Sequence, residues 1–216
     1  MITRARPNLD LIYRKLYAHF GPQRWWPADT AFEVMVGAIL TQNTSWPNVE
    51  KAIANLKKHK ALEPAKLYHL PHKKLAELIR SAGFYNIKAQ RLKEFLGFFI
   101  HNYGANLKKI AQVKVEPLRA ELLAIKGVGP ETADSILLYA LHKPVFVIDA
   151  YTRRVFSRHA FIKEEATYDQ AQSLFTLNLK KDVQLFNEYH ALIVALAKNY
   201  CLKSTPKCSI CPLAFC

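Results

Sequence analysis

The chain has 216 residues, and 31 Lys and Arg against 17 Asp and Glu give it a formal net charge of +14. Half of the residues are hydrophobic and 12% are aromatic, which is enough for a folded core and excludes intrinsic disorder. A chain of this size forms one large domain or two small ones, and its surplus of Lys and Arg favours a polyanionic partner such as nucleic acid over a merely basic surface.

The first ten residues include basic side chains, but no apolar block follows them, so they lack the pattern of a secretion signal. The apolar runs further along, such as residues 191–197, are much shorter than a membrane-spanning helix. We therefore expect a soluble, cytoplasmic, monomeric protein without a membrane partner.

Apolar residues recur at intervals of three and four along almost the whole chain, which is the period of an amphipathic helix. The pattern begins with Leu9, Ile12 and Leu16. Prolines lie between these segments or at their starts, as is typical of helix ends. Only residues 145–148 resemble a strand, and they have no partner strand. The sequence predicts an all-α fold.

All three tryptophans lie early in the chain: Trp25 and Trp26 precede one predicted helix, and Trp46 follows it. Gln42 lies at the end of the same helix. Taken alone, the indoles are most often core residues and Gln42 is a polar helix-end residue. The alternative interpretation is that the indole faces line a ligand pocket.

Residues 122–133 combine the end of an apolar helix, the turn Gly127-Val128-Gly129 and Pro130 at the first position of a second helix. Glycine permits positive φ and close approach of the backbone to another surface, and the next helix begins with unpaired N–H groups. Such a turn can bind phosphate without a charged side chain. An ordinary tight turn between packed helices is the alternative.

Asp149 follows the apolar residues 145–148 and directly precedes another predicted helix. Aspartate is a favoured N-cap, so a structural role explains it. The functional interpretation is a carboxylate held near the hairpin in basic surroundings.

All four cysteines lie near the end of the chain, with six, two and four residues between them: Cys201, Cys208, Cys211 and Cys216. In an intracellular chain, such a cluster favours a metal site over disulfides. Four thiolates suit a [4Fe-4S] cluster or tetrahedral zinc. One close pair flanked by single cysteines favours the iron-sulfur cluster over zinc.

The hairpin 125–134, residues 147–154 and the cysteines together resemble the endonuclease III family of helix-hairpin-helix DNA glycosylases. Residues 40–44 and 83–90 match that family in the same order and spacing, so the resemblance covers nearly the whole chain. It implies a helical barrel domain, 22–132, and a helical domain made of 1–21 and 133–216, which ends in the cluster loop. It also implies that duplex DNA is bent across a cleft between the lobes and a damaged nucleotide is flipped into it.

By position, the resemblance makes Asp149 the catalytic carboxylate, which stabilises positive charge on the sugar as the base leaves and orients the attacking water. It makes Gln42 the residue that fills the gap left by the flipped nucleotide. The hairpin residues expected to contact DNA are Lys126, Gly127, Val128, Gly129 and Thr132.

Two positions depart from the family pattern. Members that cut the DNA backbone have a lysine two residues after the second hairpin glycine, whereas this chain has Glu131 there. A carboxylate cannot form the imine that such cutting requires, so we predict a glycosylase without AP lyase activity. The last cysteine spacing is four residues instead of the usual five, which makes Cys216 the least secure ligand.

Trp25, Trp26 and Pro27, together with residues 39–44 and Trp46, most resemble the family branch that excises 3-methyladenine. An N-alkylated purine nucleotide is cationic, so indole faces attract it by cation–π stacking. We predict a substrate site made by Trp25, Trp26, Trp46 and Glu131. One alternative is a glycosylase for oxidised pyrimidines or for mismatched thymine or uracil, and another is a non-catalytic DNA-binding module.

Overall fold

The computed structural model describes residues 7–214. All regular elements in this range are helical, which confirms the all-α prediction, and residues 145–148 have no regular secondary structure. A π-helical segment, Ile136–Ala140, continues the ninth helix. No helix of the described chain is long and apolar enough to cross a membrane. The α-helices are α1 (Leu9–Phe20), α2 (Ala31–Leu40), α3 (Trp46–Lys58), α4 (Pro64–His69), α5 (His72–Leu78), α6 (Tyr85–Tyr103), α7 (Leu107–Gln112), α8 (Val115–Ala124), α9 (Pro130–Ser135), α10 (Ala150–Arg158), α11 (Tyr168–Thr176) and α12 (Val183–Asn199).

The described residues form two compact units, one made of 28–143 and the other of the segments up to 27 and from 144 onward. The domain bounds predicted from the sequence, 22–132 and 1–21 with 133–216, remain a proposal, and residues 1–6 and 215–216 of them lie outside the described range. In the structure, α9 runs through the proposed 132/133 boundary.

The unit 28–143 is organised around α2, in which nine of ten residues are buried. A helix buried on all sides lies at the centre of a bundle. The long helix α6 packs against α2, α4 and α5. At this contact the rings of Phe32 and Phe99 stack with centroids 6.4 Å apart. The turn after α2 and the hairpin between α8 and α9 are therefore fixed on one core.

The other unit is built around α12, which packs against α1 and α10. Its aromatic core includes Phe146, whose ring stacks on Phe175 at 3.9 Å. The hydroxyl of buried Tyr189 donates to the Leu9 carbonyl at 3.0 Å. Because Phe146 lies only three residues before Asp149, this core fixes the chain that presents the carboxylate.

Candidate functional site

Asp149 is the N-cap of α10, and its Oδ1 accepts a hydrogen bond from the Thr152 N–H at 2.7 Å. Its Oδ2 lies 3.5 Å from Nε2 of His190, which α12 contributes. Burial alone would raise the pKa of Asp149. The electrostatic interaction with His190 and the hydrogen bonds to the carboxylate outweigh that effect and lower the pKa of Asp149 below its usual value. The result is an ionised carboxylate held in one orientation with 14% of its side chain exposed.

Gln42 and the hairpin meet inside the unit 28–143. The Gln42 Nε2 donates to the Gly127 carbonyl at 3.0 Å and to Thr132 Oγ1 at 2.9 Å. The Oε1 of the same amide accepts a hydrogen bond from Arg91 Nη1. Three of the predicted DNA-contacting residues are therefore in direct contact, and the amide orientation is set by its partners.

The two hairpin glycines differ in what the structure requires of them. Gly127 has φ +88°, and a Cβ there would lie 2.5 Å from Cγ of Arg91, so both backbone and space demand glycine. Gly129 has an ordinary φ of −95° and caps α9, and a Cβ there would meet no atom within 4 Å. The fold itself does not require glycine at 129, and the space in front of it is open to another surface.

The remaining hairpin residues divide by exposure. The side chain of Val128 is buried, and its N–H donates to the Ile125 carbonyl at 3.0 Å. Lys126 is exposed on the same turn. Behind the turn, Arg119 of α8 binds Asp134 of α9 with two hydrogen bonds of 2.7 and 3.2 Å, and the Asp134 side chain has no exposed surface.

Sequence reasoning missed three residues on α6 or at its N-cap, of which Arg91 contacts Gln42 directly. Lys88 is buried on α6, and desolvation, with Arg91 adding a smaller effect, lowers its pKa to about 8. Arg91 holds the Gln42 amide. Phe84 has a φ of +45°, and the residue is 66% exposed. Phe84 and Lys88 lie within residues 83–90, which match the family pattern in the sequence, whereas Arg91 lies just beyond them, and only three-dimensional contacts show what these side chains do.

The predicted substrate residues do not all lie in one unit. Trp25 and Trp26 belong to the unit of Asp149, and their rings meet edge to face with centroids 5.7 Å apart. Lys198 Nζ lies 6.0 Å from the Trp25 ring centroid. Trp46, at the start of α3, and exposed Glu131, on the first turn of α9, belong to the unit 28–143.

The cysteine loop is anchored to α10 by arginines. The Arg158 guanidinium donates to Cys201 Sγ at 3.4 Å and to the Leu202 carbonyl at 2.6 Å. Arg154 donates to the Cys201 carbonyl at 2.7 Å. A guanidinium on sulfur matches the negative charge that sulfur carries as a metal ligand.

Of the predicted ligands, Cys201 is buried, Cys208 is exposed and Cys211 is intermediate, while Cys216 lies outside the described residues. Residues 7–214 contain no group of three or more His, Cys, Asp or Glu arranged to hold a metal ion. The contacts around Cys201 thus fit an anionic sulfur, and the ligand set itself remains a proposal.

Comparison with known proteins identifies the family. Residues 36–181 match the HhH-GPD superfamily of base excision DNA repair proteins, so the chain belongs to that superfamily. A protein of Methanocaldococcus jannaschii, provisionally named a DNA repair glycosylase, is 54% identical over 204 residues, which are 94% of this chain and 92% of that protein.

Comparison with solved structures agrees with this family assignment. The H. pylori 3-methyladenine DNA glycosylase bound to 1,N6-ethenoadenine superposes with a TM-score of 0.76 at 31% identity, over 87% of this chain and 96% of that one. A trapped endonuclease III–DNA covalent intermediate shares the fold, with a TM-score of 0.83 at 20% identity over 97% and 93%. The protein is a DNA repair glycosylase of the helix-hairpin-helix class, and the predicted resemblance to the endonuclease III family and its 3-methyladenine branch is confirmed.

Proposed function

We propose that this protein is a monofunctional glycosylase that flips an N-alkylated purine such as 3-methyladenine out of duplex DNA, excises it and leaves an intact abasic site. The observation that carries the proposal is the ionised, capped Asp149 beside His190. As the base departs, positive charge develops on the sugar, and a preorganised carboxylate stabilises that charge and orients water for attack. A glycosidic bond already weakened by alkylation needs little acid assistance.

In this proposal, the hairpin and the turn after α2 bind the DNA. The open space at Gly129 lets a phosphate approach the first N–H groups of the hairpin helix, and exposed Lys126 adds charge. Gln42 would fill the gap that the flipped nucleotide leaves. Phe84 directly follows Gly83, where a Cβ would lie 3.8 Å from Thr44 Oγ1 at the end of this turn, and its exposed side chain can stack on an unpaired base.

The substrate assignment is supported by the partly exposed indoles and by the 31% identity to a 3-methyladenine glycosylase. Stacking on Trp25, Trp26 or Trp46 would favour a cationic purine.

A panel of duplexes with defined lesions tests the substrate. We expect release of free 3-methyladenine from methylated DNA. Release only of oxidised pyrimidine, or of mismatched thymine or uracil, would replace the proposed substrate by that alternative. Binding without release of any base would indicate a non-catalytic module.

The absence of AP lyase activity is proposed from Glu131. Borohydride should not trap the wild-type protein on damaged DNA, because a carboxylate at this position forms no imine. Glu131→Lys places an amine on the first turn of α9 and should produce a trapped complex. Glu116→Lys makes the same charge change at an exposed position of α8. It is the matched control and should trap nothing. Trapping of wild type would contradict the monofunctional assignment.

Substitution by alanine should have different effects at the two hairpin glycines. Gly127→Ala meets both the positive φ and Arg91 Cγ, so we expect a loss of about 1–3 kcal/mol in the free energy of unfolding. Gly129→Ala should leave stability nearly unchanged and weaken DNA binding, because the new methyl group fills space that a phosphate would use. Urea unfolding and duplex titration measure the two effects. Equal DNA affinity for wild type and Gly129→Ala would argue against the proposed phosphate site.

We also propose that Cys201, Cys208, Cys211 and Cys216 hold a [4Fe-4S] cluster, with zinc as the alternative. Bound there, the cluster would cross-link the loop that Arg154 and Arg158 fix on α10. Purified protein should contain about four iron atoms per chain. Cys201→Ser should lose the iron and melt at a lower temperature. A colourless, zinc-containing protein would overturn the iron-sulfur assignment.

A further inference from the structure

Lys88 holds both ends of the turn that carries Gln42. Its Nζ donates to the Leu40 carbonyl at 2.8 Å and to Thr44 Oγ1 at 2.6 Å, which flank the turn. The third bond, at 2.7 Å, goes to the Ala82 carbonyl in the segment that precedes α6. An ammonium group has three donors, and all three are used on neutral acceptors here. The amine of a residue only 1% exposed thus binds two main-chain carbonyls and the Thr44 hydroxyl around the turn that carries Gln42.

Arg91 holds the side chain of the same glutamine. It lies three residues beyond Lys88 on α6, and residues at this spacing share one helix face. Its guanidinium donates to Gln42 Oε1, while its aliphatic part lies against Gly127 of the hairpin. The Gln42 Nε2 completes the connection by donating to Gly127 and Thr132.

From this juxtaposition we infer that Lys88 and Arg91 are positioning residues, which keep Gln42 in its gap-filling conformation and couple it to the phosphate-binding hairpin. The inference rests on the proposed role of Gln42. A long, flexible side chain loses rotamer freedom when it fills a gap in DNA. A glutamine already ordered in the free protein avoids that loss at the moment of flipping.

The test uses the full chain and needs no knowledge of the excised base. We would measure dissociation constants for an undamaged duplex and for the same duplex containing a tetrahydrofuran abasic analogue, which presents the gap directly. The ratio of the two constants reports gap filling, and general charge effects cancel in it. A merely structural role would lower the melting temperature and leave this ratio unchanged.

Arg91→Met is expected to lower the preference for the abasic duplex by about tenfold or more, the usual effect of losing a hydrogen bond to a charged group. Gln42→Ala should lower it by a similar factor, and the double variant should lower it no further, because both substitutions remove one interaction. Arg91→Lys, which keeps the charge and a donor, should recover part of the preference. Lys88→Met should act in the same direction. Lys108→Met, which removes an exposed charge on α7, should leave the ratio unchanged.

Four outcomes would overturn the inference. In the first, Gln42→Ala lowers the ratio but Arg91→Met does not, which leaves the glutamine's role intact and removes that of Arg91. In the second, the effects of Arg91→Met and Gln42→Ala are additive, so the arginine acts independently. In the third, Lys88→Met lowers the melting temperature but not the ratio, so Lys88 is purely structural. If Gln42→Ala itself has no effect, the gap-filling part of the proposed function fails as well. Partly exposed Arg91 keeps the test available if Lys88→Met does not fold.

Discussion

Asp149→Asn is expected to lower the rate of base release by at least about 10²–10³-fold while DNA affinity and melting temperature stay close to those of wild type. Asparagine caps a helix as well as aspartate does, so the bond to the Thr152 N–H can persist. What disappears is the negative charge that we propose stabilises the sugar cation. The substitution therefore separates the capping role from the chemical one.

The pH dependence follows from the lowered pKa of Asp149. A carboxylate whose folded-state pKa lies below its unfolded value stabilises the protein above the unfolded pKa and loses that contribution as the pH falls through the folded pKa. Asp149 therefore stays ionised at neutral pH, and we expect no acid limb from it above about pH 4 in the pH–rate profile.

A matched control exists at another helix N-terminus. Asp182 caps α12, with its Oδ1 accepting from the Leu185 N–H at 2.8 Å. Asp182→Asn makes the same chemical change and should leave base release unchanged. If Asp149→Asn releases base as fast as Asp182→Asn, the carboxylate is only a cap, and the catalytic assignment fails.

Arg119→Met should produce the largest stability loss, about 3 kcal/mol in the free energy of unfolding. Asp134 is fully buried, and the substitution removes the guanidinium that binds both of its oxygens. Removing the guanidinium leaves the Asp134 charge in the interior, and this lowers stability by more than the intact ion pair contributed to it. We place the value at the lower end because the Arg119 side chain is 23% exposed. The pair joins the two hairpin helices, so DNA binding should weaken too.

An exposed ion pair of the same unit serves as the comparison. Lys66 and Glu63 lie 2.6 Å apart, with side chains 55% and 59% exposed. Lys66→Met should change stability by less than about 1 kcal/mol, as is typical of surface pairs. Urea unfolding followed by circular dichroism measures both variants. A loss for Arg119→Met as small as that for Lys66→Met would show that the buried pair does not brace the hairpin.

The sequence predicts the features that depend on local patterns. Helical periodicity gives the fold class, and Pro130 correctly indicates the start of α9. The sequence also indicates the two-glycine turn, in which Gly127 has a positive φ and Gly129 does not. The N-cap interpretation of Asp149 is also confirmed by its bond to Thr152.

Contacts between distant segments could not be predicted in this way. His190, on α12, contacts Asp149 although the two residues are 41 positions apart in the sequence (190 − 149), and no spacing rule links them. Arg91 reaches Gln42 across 49 residues. Lys88 would be expected on the surface from its residue type alone, yet it is buried because three acceptors surround its amine. Tertiary structure creates these arrangements.

The most direct test is to incubate the purified protein with methylated duplex DNA and analyse both products. We predict free 3-methyladenine in solution and an unbroken strand carrying an abasic site, and Asp149→Asn should lower the rate of this release by at least about 10²–10³-fold. Methylated DNA that is bound but releases no alkylated base would contradict the proposed substrate. A strand cut by the wild-type protein itself would contradict the monofunctional mechanism.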